Sequence, residues 1–292
     1  MRDQATSRRR FMLNAALAGG GVGLAGACAP AGSGGAASAE ANAAAAPDDA
    51  PTFELYHEEH GEGPPVVFAH GAGGTHMSWW KQIPTFSQEF RCITYSQRGF
   101  GFSPDVPGGP GRSAFVEDLR TLLDDLGIER ASLIGQSMGG RSVLGFAAAY
   151  PERVDALVMS ATTGGYQDDD LAALRESAPD LGPRSAFSAP YAERDPEGAF
   201  LYRMVQGTNR RLSGESDPTD APNPDIGRVI DAGVRTLFVV GELDTVAAPS
   251  VIKGLHAKMP GSELVSFDDS GHSPYWEIPN RFNEAVLTFL RG

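Results

Sequence analysis

Three side chains far apart in this chain could share one proton. Ser137 stands in "SLIGQSMGGRS" (132–142), between Gly135 and Gly139 and directly after the apolar Leu133 and Ile134. A strand, a G-x-S-x-G turn and a helix in that order hold a serine hydroxyl above a sheet, because the glycines let neighbouring backbone pass closely. A serine hydroxyl is a poor nucleophile at neutral pH, so it needs a base, and the base needs an orienting group. Among the six histidines, His272 is placed for that task. It lies in "DDSGHSP", after the last apolar strand and before the last helix, at the carboxyl edge where open α/β sheets gather their sites. His57, His60, His76 and His256 read as surface or packing residues.

The orienting carboxylate is expected at the end of another strand. Asp244 in "VVGELDTVAAP" follows the apolar run 236–240, with Glu242 as its nearest rival. The other edge position for this role follows 156–160, where "SATTGG" holds no acid. Asp268 and Asp269 are too near His272 in the chain to reach its far nitrogen. Attack on a carbonyl creates an oxyanion that needs backbone donors. The Met138 amide, directly after the serine, is one candidate. The other comes from "HGAGG" (70–74), where Ala72 is the first choice and Gly73 the reserve. His70 is expected to brace that loop.

The elements that must position these groups alternate. "TFELYHEE" has the pattern of an exposed strand, and "VVFA" (66–69), "CITY" (92–95), "ASLIG", "ALVMS" (156–160), "TLFVV" (236–240) and "ELVSF" (263–267) read as strands. Helical spacing appears in 114–127, ended by Gly127, and in "MGGRSVLGFAAAY", "APSVIKGLHAKM" and "NRFNEAVLTFL". Strands apolar on both faces, alternating with amphipathic helices, predict a mostly parallel sheet covered by helices on both sides, with right-handed crossovers. Residues 164–228 break the rhythm with prolines, scattered aromatics and helical fragments. They are expected to form a small helical lid inserted between two strands.

The 292 residues carry a net charge of −13. Arg2, Arg8, Arg9 and Arg10 against Asp3 give the first 29 residues +3, which leaves −16 on the remainder. An acidic body argues against nucleic acid or an anionic membrane surface as partner. Residues 1–29 read as an export leader: "SRRRFML" is similar to the twin-arginine signal, and a weakly apolar Ala/Gly stretch follows. "LAGAC" resembles an imperfect lipoprotein box with Cys28 as the acylated residue, and cleavage after Ala29 is the competing reading. Export across a bacterial inner membrane follows, to the periplasm or a lipid anchor. Residues 30–51 form an Ala/Gly/Pro tether unable to bury a core. The folded body, 52–292, holds a single thiol, Cys92, expected as a small buried residue.

The chain resembles the α/β-hydrolase fold family across about residues 53–292. "HGAGG", "SQRGFGFSP", "GQSMGG", "GELDTVAAP" and "GHSPYWEIP" carry the resemblance, in the order Ser…Asp…His. It implies the family's helix-covered sheet and a serine hydrolase with a small lid, acting without metal or other cofactor on a small molecule. A small or medium carboxylic ester is the leading expectation. A carbon–carbon hydrolase of β-diketone-like substrates, a lactonase with the same triad, and a ligand-binding protein on this scaffold are the alternatives. Trp79 and Trp80 in "HMSWW" are candidates for lining the acyl pocket, with core packing as the other reading. Arg98 is expected to be structural.

Overall fold

The computed structural model describes residues 54–103, 105, 109–209 and 222–292. The leader, Cys28 and the tether lie outside the described residues. Seven strands form one sheet: β1 (His57–His60), β2 (Pro65–Ala69), β3 (Arg91–Tyr95), β4 (Ala131–Gln136), β5 (Val154–Ser160), β6 (Arg235–Gly241) and β7 (Glu263–Phe267). Their order is β1-β3-β2-β4-β5-β6-β7. β1 pairs antiparallel with β3, and every other neighbour is parallel. All five central apolar runs of the sequence are strands, and the mostly parallel sheet is as expected.

Alternation decides which side chain meets which layer. Val67 and Leu133 enter one core, while Val66 and Ile134, their chain neighbours, enter the other. The first core is closed by helices α2 (Phe115–Asp125), α3 (Gly139–Ala149) and α8 (Pro249–Lys258), through Leu119, Leu123, Val143, Ile252 and Leu255. The second is closed by α1 (Ile83–Phe86) and α10 (Pro279–Arg291), through Phe86, Phe282 and Val286. Cys92 is fully buried on β3, and burial pushes its thiol up to about 12.

Between β5 and β6 the chain forms only helices among the described residues: α4 (Asp169–Glu176), α5 (Ala189–Arg194), α6 (Pro196–Gly207) and α7 (Ile226–Asp231). Asp168, Ser188, Asp195 and Asp225 cap them, each accepting an amide of the first turn. The short α9 (Pro274–Glu277) follows the loop that carries His272. No described helix is long and apolar enough to cross a membrane.

Candidate active site

Ser137 sits where β4 turns into α3, and its backbone pays for that position with φ at 51°, a left-handed conformation that non-glycine residues avoid. The surroundings hold it there. The Ser137 amide donates to the Ser160 carbonyl at 2.9 Å, and its own carbonyl accepts from Thr162 Oγ1 at 2.7 Å and from the Gly140 amide at 3.0 Å. The flanking glycines are required by close approach. A Cβ at Gly139 would collide with the Ala69 carbonyl, and one at Gly135 with Val143. The turn therefore wedges between β2 and its own helix, which leaves the hydroxyl exposed to the space above the strands.

β6 and β7 end at the same edge, and the loops beyond them bring two further side chains to that hydroxyl. His272 Nε2 lies 2.8 Å from Ser137 Oγ, and its Nδ1 lies 2.8 Å from Asp244 Oδ2. Asp244 is 1% exposed. Its other oxygen, Oδ1, accepts the amides of Val246 at 2.7 Å and Ala247 at 2.9 Å, so the carboxylate cannot swing away. These bonds require hydrogen on Nδ1 and leave Nε2 as acceptor toward the serine. Gln136, next to Ser137, donates to the His272 carbonyl at 2.9 Å and ties the two loops together.

A cavity of about 520 Å³ opens onto this group, lined by Ser137 and His272 with Ala72, Met138 and residues of the β5–α4 loop. The amides of Ala72 and Met138 donate to no acceptor among the described residues. Met138 caps the amino end of α3, where the helix dipole favours negative charge. Gly73 lies under the Tyr202 hydroxyl, with no room for a side chain. Among the described residues, no group of three or more His, Cys, Asp or Glu side chains converges as a metal-ligand set would.

His70 has no exposed surface, and the Gln97 amide donates to its Nε2 at 2.9 Å while its Nδ1 meets the Gly71 carbonyl at 2.8 Å. It braces the Ala72 loop. Burial lowers it to about 4. Glu242 bridges to Lys253 and accepts from Ser266. Asp269 pairs with Arg281 on the surface. Arg98 bridges Asp118 and Asp105. His76 bonds Ser96 and His256 bonds Ser262.

Of the two readings for the tryptophans, core packing describes Trp79. Neither Trp79 nor Trp80 lines the cavity. Both lie on the 3-10 turn after the glycine loop, whose inner side faces the sheet. Trp79 is fully buried between Phe68 and Tyr275, and Trp80 is 47% exposed and stacks edge-on against Trp276. Two residues escaped the sequence reading. Glu277, 5% exposed, accepts the amides of Gly271 and Ser273 on either side of His272. A lone acid inside the apolar "PYWEIP" was its signal. Arg141, in the first turn of α3, lines the same cavity as Ser137.

The α/β hydrolase fold family matches residues 64–178. The chain is similar to a putative carbamate hydrolase, RutD, of Caulobacter sp. (strain K31), with 27% identity over 82% of this chain and 96% of that protein. A 2-hydroxy-6-oxononadienedioate/2-hydroxy-6-oxononatrienedioate hydrolase of Burkholderia vietnamiensis is 29% identical over 84% of this chain and 93% of that protein. Among solved structures, a thermophilic esterase from Thermogutta terrifontis superposes with a TM-score of 0.68 at 26% identity, covering 81% of this chain and 93% of that one. With its sheet order, its strained serine turn and these matches, the chain has the α/β-hydrolase fold and is similar to that family over residues 64–178.

Proposed function

We propose that the protein is a serine hydrolase of small molecules that works through an acyl-enzyme on Ser137. One observation carries the reading: His272 is hydrogen-bonded at once to the serine hydroxyl and to a buried carboxylate. Ser137 Oγ attacks a carbonyl carbon while its proton passes to His272 Nε2. Asp244 fixes the tautomer and stabilises the imidazolium. The free amides of Ala72 and Met138 receive the oxyanion. The leaving group then takes the proton from His272, and a water activated by the same imidazole releases the acyl group.

The bond cut is, in this proposal, a carbon–carbon bond of a β-diketone-like compound or a lactone, ahead of a simple carboxylic ester. The relative from Burkholderia vietnamiensis supports this order, because a 2-hydroxy-6-oxo-dioate contains no ester and its hydrolysis must break carbon–carbon bonding. The proposal includes export, on the strength of Arg8, Arg9, Arg10 and Phe11; the mass of the mature amino terminus distinguishes an acylated Cys28 from a start near Pro30.

The full chain is expected to react with a fluorophosphonate probe, and Ser137→Ala to abolish labelling. Equal labelling of both proteins would remove Ser137 as nucleophile. A panel of a β-diketone, a lactone and nitrophenyl esters of rising acyl length then ranks the bond classes by kcat/KM. Turnover confined to the esters would reverse this ranking.

A further inference from the structure

The reactive end of the cavity has a wall of opposite charge to the protein as a whole. Within a chain of net charge −13, Arg112, Arg141, Arg175 and Arg184 line the cavity that holds Ser137 and His272. The acids on that lining, Asp180 and Asp244, are engaged elsewhere. Asp244 serves His272, and Asp180 accepts the Gly182 amide of its own turn.

Arg141 is the member fixed to the scaffold. It belongs to α3, whose first turn follows the nucleophile, and its amide donates to the Met138 carbonyl at 3.0 Å. Side chains on a helix tilt toward its amino end, so this one leans back over the turn that bears Ser137 and Met138. Its stem lies along Gly165, in the loop after β5, where a Cβ would come within 3.0 Å of Nη1. The side chain is partly buried, yet no ion pair or hydrogen bond of its guanidinium exists among the described residues. A guanidinium presents its donors as a planar fork that matches a carboxylate. Leaving such a group half-desolvated without a partner is costly unless a ligand supplies the counter-charge.

We propose that Arg141 is a specificity-determining residue, and that the substrate carries a carboxylate beyond its scissile carbonyl, bound by this guanidinium. Arg175, in the last turn of α4, and Arg184, before Ser188, sit on the helical segment facing it and draw the anion in. The inference rests on Ser137 as nucleophile to say which end of the substrate reacts, and it is independent of the bond class.

Two readouts test it. The first needs no turnover. Ser137→Ala protein is titrated with glutarate and with its uncharged diamide at matched ionic strength. Saturable binding of glutarate alone is expected, weakened about tenfold or more in Ser137→Ala/Arg141→Gln, the range of a hydrogen bond to a charged group. The second compares 4-nitrophenyl hemisuccinate with 4-nitrophenyl butyrate. The ratio of their kcat/KM values favours the hemisuccinate in the wild type, and falls about tenfold or more in Arg141→Gln through KM. Arg141→Lys, which keeps the charge and loses the fork, is expected to fall between and guards against a misfolded variant. Equal binding of glutarate and diamide, or a ratio that Arg141→Gln leaves unmoved, overturns the proposal. Glutarate binding without turnover of any substrate would sink the hydrolase reading and leave the anion subsite standing.

Discussion

Ser188 donates its hydroxyl to Glu277 at 2.6 Å across 89 residues of chain, and the same carboxylate accepts the Gly271 amide immediately before His272. Ser188 caps α5 of the helical segment between β5 and β6. Its amide also donates to Glu277, at 3.1 Å. The carboxylate thus fastens that segment to the loop bearing the imidazole, and it does so in a buried place where each donor would otherwise be left unpaired.

Glu277→Gln keeps the shape and replaces one acceptor oxygen with a donor, which must face either Ser188 or the Gly271 and Ser273 amides. A loss of about 1–3 kcal/mol in stability is expected, read by urea denaturation. Turnover of the folded fraction is expected to drop about tenfold with KM little changed, since the loop holding His272 loses a tether. An unchanged kcat alongside the stability loss would reduce Glu277 to a packing role.

Asp244→Asn isolates the tautomer. Oδ1 is committed to the amides of Val246 and Ala247, so an asparagine must keep its oxygen there and turn its NH2 toward His272. The imidazole then carries its proton on Nε2 and cannot accept one from Ser137. Turnover is expected to fall about 10⁴-fold, with the fluorophosphonate labelling rate falling in parallel. A variant that labels at the wild-type rate would show that the carboxylate has no part in the chemistry.

The convergence of Ser137, Asp244 and His272 was legible because each follows the end of a strand, and a parallel sheet brings strand ends to one edge. The five central strands were legible because runs such as "VVFA" and "TLFVV" are apolar on both faces, whereas β1 showed only as the end of an alternating, exposed stretch. Glu277 and Arg141 were not. The main partner of Glu277, Ser188, is set by how a helical segment settles onto the sheet, which no local spacing encodes. Arg141 follows Ser137 by four residues, in the first turn of α3, but only the surrounding walls reveal that its guanidinium has no counter-ion among the described residues. For Trp79 and Trp80 the sequence left pocket lining and core packing both open, because it does not say which way the turn that carries them faces.

His70 gives the fold a pH dependence whose sign follows from its burial. In the folded protein it is neutral with its pKa lowered to about 4, against 6.5 when unfolded. Between those values the unfolded chain binds more protons, so stability is complete above about pH 6.5 and declines as the pH falls toward 4. The full loss from this one group is about 3 kcal/mol. Protonation would also turn Nε2 into a donor facing the Gln97 amide, which forces the Ala72 loop apart. Burial lowers His76 in the same direction, so it adds to the slope. Urea midpoints at pH 7.5, 5.5 and 4.5 are expected to decline steadily in the wild type. His70→Gln, which keeps an acceptor for the Gln97 amide, is expected to be less stable at pH 7.5 but to lose less on acidification. If both proteins lose stability equally between pH 7.5 and 4.5, His70 is not held neutral by the fold.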